Sequence, residues 1–578
     1  MTDNKKSYIG LTIGPIVETI SNAKQTGELW ARSYLFSYIM KNIIKTLIVK
    51  DKKFNKEKNQ NKKLEDRFIL PCINDIFNKL NKSLDEKNSI KKTDEKTDQE
   101  NDEVSQEVGL FHDRFIFQSE EGDFDLVKQS IDEVIDCISI EIKGYEDYKD
   151  KSKEEIKRNI EDFLKIYYLE LDLDLSEKEK EDKEKSKNNI IFKVNRALDA
   201  LELREKISND RNIEGNYLTN ILKNDNMNNS KEHFLCKDAY GKDGKRGDYP
   251  SLFKIALSET YNGKFPNEDD EIKEKLREKR LEDKLIKANE YVAVVQADGD
   301  SMGKVIETFQ IHNDIEDIYK DYKSFSSNLL EYDKESHKTI KKYGGFTIYA
   351  GGDDLLFIAP VINNKEESEK KNNIFQLIDK LSDLFDEKFN KEKEKPTTSF
   401  GVAIVHHKFP LYYALDEARD LLFNKAKNYK FNGEEKNAIA FKVIKSSGQS
   451  FETVVGKKSE SYKQFKDLFY NVSKNLSGKD RKIKNYLNAI HFKLKRDKVI
   501  LNKIGENKSS LQNYFDNNFG EKIHKTEPIK TYINDLIEFI YKIYSEAKTD
   551  EDKDKCIEQI YTYLRFIKFM DEDINLDD

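Results

Sequence analysis

The tetrapeptide Gly351-Gly352-Asp353-Asp354 lies between two apolar runs of strand length, Phe346 to Ala350 and Leu355 to Ala359. This pattern predicts a β-hairpin, because glycine permits the positive φ that a tight turn needs. The two adjacent carboxylates repel each other, and a divalent cation relieves that repulsion. By itself, the tetrapeptide is also typical of an ordinary turn with solvated aspartates.

A second motif precedes the hairpin and changes this interpretation. The apolar run Tyr291 to Val295 is followed by Asp298, Gly299, Asp300 and Gly303. The central block reads β-α-ββ-α-β-α-β, which contains the ferredoxin-like split unit, and in such a sheet the first strand lies beside the later hairpin. We therefore expect three carboxylates to converge at one sheet edge, where they could hold two Mg²⁺ or Mn²⁺ ions for phosphoryl transfer.

The first part of the chain resembles a degenerate copy of this block. It begins with an apolar strand near Tyr8 to Ile13 and later carries His112-Asp113-Arg114 before the strand ending at Phe117. His112-Asp113-Arg114 and the strand that follows it align with Gly352-Asp353-Asp354 and the strand ending at Phe357. The first copy lacks the aspartates of its first strand and the glycine pair. His112-Asp113 is interpreted as a turn before a strand, because no supporting second His or Asp accompanies it.

Length and patterning predict an α+β chain with four regions. These are a first block (1–215), a linker or helical region (216–289), a second block that contains the hairpin (290–450) and a C-terminal helical domain (451–578). Charged residues make up 36% of the chain and concentrate in runs such as 81–106 and 267–288, which we expect to be solvated.

The overall charge and the cysteines narrow the class of protein. The net charge of -8 excludes a polycation, so nucleic-acid contact would need local patches or partner subunits. Four widely spaced cysteines form no zinc or disulfide pattern. Without a signal peptide or an apolar run of membrane length, we expect a cytoplasmic protein that makes no membrane contact.

The motifs together resemble the large subunit of type III-B (Cmr-type) CRISPR effector complexes. The resemblance rests on Ala297 to Gly303, the Gly351–Asp354 hairpin and Ser399 to His407, and at the N-terminus on Leu11 to Pro15 and Gly27 to Ala31. It implies two ferredoxin-like palm domains related to nucleotide cyclases, joined to helical domains. It also implies partner effector subunits, CRISPR RNA and target RNA, with RNA-activated synthesis of an adenylate messenger from ATP.

Site roles follow from the same resemblance. Asp298, Asp353 and Asp354 would be catalytic and would hold two metal ions. The product would be a cyclic oligoadenylate, or AMP joined to S-adenosylmethionine as co-substrate. Ser399 would lie near the adenine and Lys427 near the phosphates. The nucleotide-binding set implied in full is Gly299, Asp300, Gly303, Gly351, Gly352, Ser399 and Lys427.

Two departures and two alternatives accompany the resemblance. The chain begins at the first palm, without the family's N-terminal nuclease domain, so we expect no DNA cleavage. A Cys-rich finger is reduced to Cys236, which puts bound zinc in doubt. The alternative functions are a non-catalytic scaffold subunit of the ribonucleoprotein and a stand-alone diguanylate-type cyclase.

Overall fold

The computed structural model describes thirteen stretches of the chain, separated by the more strongly charged segments. The predicted charged run 81–106 and most of 267–288 lie outside them. The described residues are 5–58, 63–71, 73, 107–174, 189–204, 216–223, 233–240, 249–257, 287–309, 315–363, 372–475, 490–518 and 529–571.

Four strands form the first sheet, in the order β2-β3-β1-β4 with every pair antiparallel. The strands are β1 (Lys5–Gly14), β2 (Phe68–Leu70), β3 (Arg114–Gln118) and β4 (Lys165–Asp174).

Six strands form the second sheet, in the order β14-β13-β10-β5-β7-β6. Two further two-stranded ribbons, β8–β9 and β11–β12, lie outside it. The strands are β5 (Tyr291–Asp300), β6 (Phe346–Gly351), β7 (Asp354–Pro360), β8 (Ile362–Asn363), β9 (Asn372–Asn373), β10 (Thr397–His406), β11 (Lys430–Phe431), β12 (Glu434–Glu435), β13 (Ala438–Ile444) and β14 (Ser450–Gly456).

Both sheets share one topology. In each, the first strand lies between the third and the fourth strand of a β-α-β-β-α-β unit, with β1 flanked by β3 and β4 and β5 flanked by β7 and β10. The predicted α+β class, the ferredoxin-like order and the internal repeat are thereby confirmed at the level of strand order. The side chains from Tyr291 to Val295 are fully buried, as expected for a central strand covered on both faces.

Helices cover the sheets and form the C-terminal part. A capping box starts the helix Ile374–Lys388, where Asn373 accepts from the Phe375 and Gln376 amides. None of the described helices is long and apolar enough to cross a membrane. The α-helices are Ile16–Ser21, Thr26–Lys58, Leu64–Arg67, Asp123–Lys143, Lys153–Phe163, Ile190–Glu202, Tyr217–Ile221, Phe234–Tyr240, Leu252–Ala256, Met302–Thr308, Ile315–Tyr343, Ile374–Lys388, Leu411–Asp420, Glu460–Asn475, Lys498–Ile504, Lys508–Asn518, Ile529–Ser545 and Asp550–Asp571.

Two details depart from the sequence-based expectation. The second palm extends past the predicted boundary at residue 450, because β14 pairs antiparallel with β13 after a turn at Gly448, whose φ is +80°. The helix beginning at Leu411 becomes a π-helix over Leu421–Ala426. It crosses β10 at Gly401, where an added Cβ would lie 2.2 Å from the Ala418 carbonyl oxygen. Glycine therefore lets the helix backbone approach the sheet closely.

Candidate active site at the end of the central strand

The three predicted catalytic aspartates come together at the C-terminal end of β5. Ala297 pairs with Leu355 and Gly351 pairs with Asp354, so Asp298 and Asp354 occupy the next positions of adjacent strands. A Cβ at Gly299 would lie 2.7 Å from the Asp353 Oδ2 atom. The missing side chain of Gly299 thus lets the turn aspartate approach β5. Convergence of Asp298, Asp353 and Asp354 is confirmed.

Each glycine of the hairpin has its own steric reason. Gly352 has a φ of +76°, the left-handed region that glycine enters without strain. Gly351 has no such φ, but a Cβ there would lie 2.4 Å from the Tyr349 hydroxyl oxygen. That hydroxyl donates to the Gly351 carbonyl oxygen at 3.3 Å. Gly352 is therefore required by the backbone conformation of the turn, and Gly351 by the Tyr349 ring packed against it.

Asp300 is buried beneath the site and holds three strands together. Its Oδ2 atom accepts from the Thr397 hydroxyl at 2.9 Å, the Ser399 hydroxyl at 2.8 Å and the Asn437 amide at 3.1 Å. Ser399 is also fully buried, and its hydroxyl oxygen accepts from the Ala438 amide at 3.3 Å. In this structure the Ser399 hydroxyl donates to Asp300. A contact between Ser399 and an adenine stays a prediction.

Lys427 enters the site from the residue after the π-helix. Its ammonium group forms ion pairs with Asp298 and with the Asp300 Oδ1 atom, the latter at 3.0 Å, and donates to the Gly299 carbonyl oxygen at 2.6 Å. Burial acts to lower the pKa of Lys427, but the nearby carboxylates of Asp300 and Asp298 outweigh it and raise the pKa. Lys427 is therefore a fixed positive charge within the carboxylate cluster.

The cluster carries more negative charge than Lys427 neutralises. Burial, followed by the Asp298 carboxylate, raises the pKa of Asp353. Burial, followed by the Asp353 and Asp298 carboxylates, holds the pKa of Asp354 well above its ordinary value. Both shifts express the free-energy cost of concentrating anionic groups in a partly buried site. A bound cation would lower that cost.

The donor set suits a hard cation shared with a phosphate. Within the described parts of the chain, no three His, Cys, Asp or Glu side chains are grouped so that they could hold one metal ion. Mg²⁺ is commonly bound by one or two carboxylates and completed by water and substrate phosphate oxygens. The residues therefore fit a cation brought with a nucleotide. Asp298, Asp353 and Asp354 as its ligands stay a prediction.

Gly303 lies farther from the cluster, in the short helix Met302–Thr308. A Cβ there would lie 3.8 Å from the Phe192 ring of the first palm, an ordinary contact. No close approach therefore requires glycine at this position, and its role in nucleotide binding stays a prediction.

Sequence reasoning missed Asp333, which lies beneath the turn on the helix Ile315–Tyr343. Its Oδ2 atom accepts from the Gly352 amide at 2.9 Å, and the side chain is fully buried. Burial raises the pKa of Asp333 well above its ordinary value. The available signal was an acidic residue whose helical spacing places it on the buried face, with Leu329, Tyr332 and Ile340 as buried neighbours.

The Asp333 contact predicts a contrast between two substitutions. Asp333→Asn keeps a carbonyl oxygen that can accept from Gly352, so we expect activity within about threefold of the original chain. Asp333→Leu leaves the Gly352 amide buried without its acceptor, at a cost of about 1–3 kcal/mol in stability. Thermal unfolding and product formation of the two variants check this, and equal behaviour of Asn and Leu would contradict it.

Comparisons with known proteins agree with the topology and the motifs. Residues 8–165 match the family model for the CRISPR-associated protein Cmr2, N-terminal, and residues 291–440 match the model for Cas10/Cmr2, second palm domain. The two matches together cover more than half of the chain.

One curated relative and two solved structures are also similar to this chain. The CRISPR system Cmr subunit Cmr2 of Pyrococcus furiosus is 31% identical over 229 residues, which are 36% of this chain but only 25% of the relative. A type III-B Cmr-beta complex chain in the apo state is similar at a TM-score of 0.52 and 13% identity, over 95% of this chain and 82% of the other.

The same type of complex bound to cognate target RNA gives a TM-score of 0.54 at 12% identity, over 94% and 83% of the two chains. At these identities the structural likeness shows the fold alone. The assignment to a family rests on the two sequence matches, which fall on the two palm domains that the structure shows. The chain belongs to the Cas10/Cmr2 family of CRISPR-associated proteins.

Proposed function

We propose that this chain is an RNA-activated nucleotidyltransferase, the large subunit of a type III CRISPR effector complex, which makes an adenylate messenger from ATP. The observation that carries the proposal is the convergence of Asp298, Asp353 and Asp354 around the ammonium group of Lys427. A purely structural sheet end gains nothing from such a cluster, because like charges held close together lower the stability of the folded state.

The proposed reaction forms one bond and breaks another at the α-phosphorus of ATP. A 3′-hydroxyl oxygen attacks that phosphorus, pyrophosphate leaves, and the hydroxyl proton passes to solvent. Mg²⁺ or Mn²⁺, if held by carboxylates of the Asp298, Asp353 and Asp354 cluster together with phosphate oxygens of ATP, would stabilise the charge that develops on those oxygens. The acceptor is a second ATP, which leads to a cyclic oligoadenylate, or S-adenosylmethionine, which leads to its AMP conjugate.

The chain's own residues would prepare the site in three ways. Asp300, held by Thr397, Ser399 and the Asn437 amide, fixes the end of β5 that carries Asp298. Lys427 offsets the negative charge and would meet a phosphate that displaces part of its present contact with Asp298. Asp333 holds the Gly352 amide, which sets the direction of the turn.

The proposed partners are other Cmr-type subunits, CRISPR RNA and target RNA. The similar fold of a Cmr-beta chain bound to target RNA supports this part of the proposal, together with family membership. The net charge of -8 argues that partner subunits provide much of the RNA contact, because a single acidic chain gains little from counterion release.

A non-catalytic scaffold subunit is the second candidate, and one observation favours it. Lys427 already pairs with Asp298 and Asp300, so the cluster is partly neutralised by the chain itself. A scaffold would assemble with its partners and leave ATP unchanged. A stand-alone diguanylate-type cyclase has less support, because the N-terminal family match covers a region that such an enzyme does not need.

Product analysis distinguishes these candidates. The assembled complex is incubated with labelled ATP, with and without S-adenosylmethionine and target RNA, and the products are identified by mass. We expect a new adenylate product only when target RNA is present. Unchanged ATP under all four conditions would support the scaffold, and a product from GTP without RNA would support the diguanylate-type cyclase.

A further inference from the structure

The segment that leads into β3, residues 107–113, runs between the two palms. Glu107 accepts two contacts from Lys341 of the second palm, at 2.9 and 3.1 Å. Gly109 forms an isolated bridge with Tyr349 on the edge strand β6, and the Phe111 amide donates to the Ser37 hydroxyl at 2.9 Å. This linking segment therefore follows the edge of the second sheet towards the catalytic turn.

The linking segment ends against the turn itself. A Cβ at Gly352 would lie 1.9 Å from the His112 Cε1 atom, 2.8 Å from Nε2 and 3.0 Å from Nδ1. The first two distances are shorter than real Cβ contacts and the third is tighter than most of them, so the imidazole ring occupies the space beside the Gly352 Cα. The next residue is tied to the first sheet, because the Asp113 carbonyl oxygen accepts from the Ile13 amide at 2.9 Å.

The internal repeat explains which positions meet. Thr12 pairs with Arg114 in the first sheet, and Ala297 pairs with Leu355 in the second. When Phe117 is aligned with Phe357, this register makes Thr12 and Arg114 the counterparts of Asp298 and Asp354. His112 is then the counterpart of Gly352. The two equivalent turns thus touch, and the side chain present in one fills the space left by its absence in the other.

The first palm has replaced carboxylates with an internally paired cation at these positions. Arg114 forms ion pairs with Asp199 at 2.7 Å and Glu202 at 2.8 Å, both on the helix Ile190–Glu202. The Thr12 hydroxyl donates to the same Glu202 carboxylate at 2.6 Å. The counterpart site keeps one carboxylate, that of Asp113, which lies partly buried beside His112 and Arg114. The ring of His112 is the part of the first palm that packs against Gly352.

We infer that His112 is a positioning residue for the proposed reaction, holding the Gly352–Asp353 turn in place from the opposite palm. The turn is thereby contacted on two sides. The Asp333 carboxylate accepts from the Gly352 amide, and the His112 ring packs against the Gly352 Cα. The inference rests on the proposed function, because the turn matters only if Asp353 and Asp354 act on a substrate.

The expected effect of losing the ring is on turnover. His112→Ala opens a space beside Gly352, and a shift of about 1 Å in the following aspartates costs about 10²-fold in rate. ATP contacts elsewhere in the cleft are unchanged, so we expect the KM for ATP to stay within about threefold. His112→Phe keeps a flat ring in the same place and is expected to restore turnover to within about threefold.

Lys341→Gln is the matched control, because it removes a cross-palm contact of the same segment that lies away from the turn. Its exposed ion pair contributes at most about 1 kcal/mol, and we expect unchanged kcat. The Gly352→Ala variant should lose activity, because the added Cβ would meet the His112 ring and the φ of +76° strains an alanine.

The test measures kcat, KM and thermal unfolding of these variants in the assembled complex. The inference is supported if Ala lowers kcat at unchanged KM while Phe and Lys341→Gln do not. It is overturned if His112→Ala turns over at the original rate, or if Phe or Lys341→Gln lowers kcat as much as Ala does. An original chain that forms no product under any condition would instead contradict the proposed function.

Discussion

Replacing both Asp353 and Asp354 with asparagine is expected to abolish product formation, with a loss of at least about 10³-fold in kcat. Each tenfold corresponds to about 1.4 kcal/mol, and carboxylate-held cations supply several kcal/mol of charge stabilisation in such reactions. Asparagine is nearly isosteric, so the hairpin keeps its shape. Product is quantified from labelled ATP in the assembled, RNA-activated complex.

The same double variant should be at least as stable as the original chain without metal. Burial and mutual repulsion disfavour the charged forms of Asp353 and Asp354, so neutral side chains remove an unfavourable interaction. Asp420→Asn, on the exposed end of the helix Leu411–Asp420, serves as the control and should change neither property. A double variant that keeps its activity would contradict the assigned site, and a lower Tm would contradict the electrostatic account.

Replacing Lys427 with methionine is expected to reduce both stability and turnover. The change leaves Asp298 and the buried Asp300 without their shared cation. We expect a loss of about 2–3 kcal/mol in unfolding free energy, less than for a fully buried pair because Asp298 is partly exposed. Turnover should fall by about 10²-fold, the scale of removing one preorganised charge from an active site.

Lys425→Met is the matched control for Lys427, since both residues lie at the π-helical turn. Lys425 pairs with Glu452 near the surface, and exposed pairs contribute about 0–1 kcal/mol. Denaturant unfolding and initial rates should therefore separate the two variants. Equal effects at Lys425 and Lys427 would show that the turn itself, and not the charge beside Asp298, matters.

Local patterns were enough to predict the second palm and the centre of its site. Strand-length apolar runs flank Gly351-Gly352-Asp353-Asp354, and Asp298 ends another such run. These features are set by neighbouring residues and by one topological rule, the adjacency of the first and third strands. That rule predicts Asp298 beside Asp354, in agreement with the pairing of β5 and β7.

Local sequence patterns could not predict contacts between residues that are far apart in the chain. The sequence shows Asp333 only as one polar residue in a helix. The fold places it beneath Gly352, whose amide donates to it. The sequence shows Ser399 only as a strand residue whose hydroxyl could contact a ligand. The pairing of β10 with β5 brings that hydroxyl to Asp300, to which it donates. His112 reads as a turn residue, which it is, and its contact with Gly352 depends on how two palms meet.

The prediction that the second palm ends at residue 450 missed the strand β14 for a related reason. The segment Ser450–Gly456 contains mixed polar and apolar residues and precedes a long helical region, so its pattern alone does not distinguish a strand from a linker. This segment is the edge strand β14, and its pairing with β13 decides its conformation. Edge strands depend more on their partner than on intrinsic propensity.

The fate of the individual phosphates of ATP tests the central claim most directly. ATP labelled separately at the α- and γ-positions is given to the RNA-activated complex, and product and pyrophosphate are measured together. Nucleotidyl transfer at the Asp298, Asp353 and Asp354 cluster predicts that the α-label enters the product and that one pyrophosphate, carrying the γ-label, is released for each AMP incorporated. Release of the γ-label as free phosphate with formation of ADP, or no turnover of ATP, would contradict it.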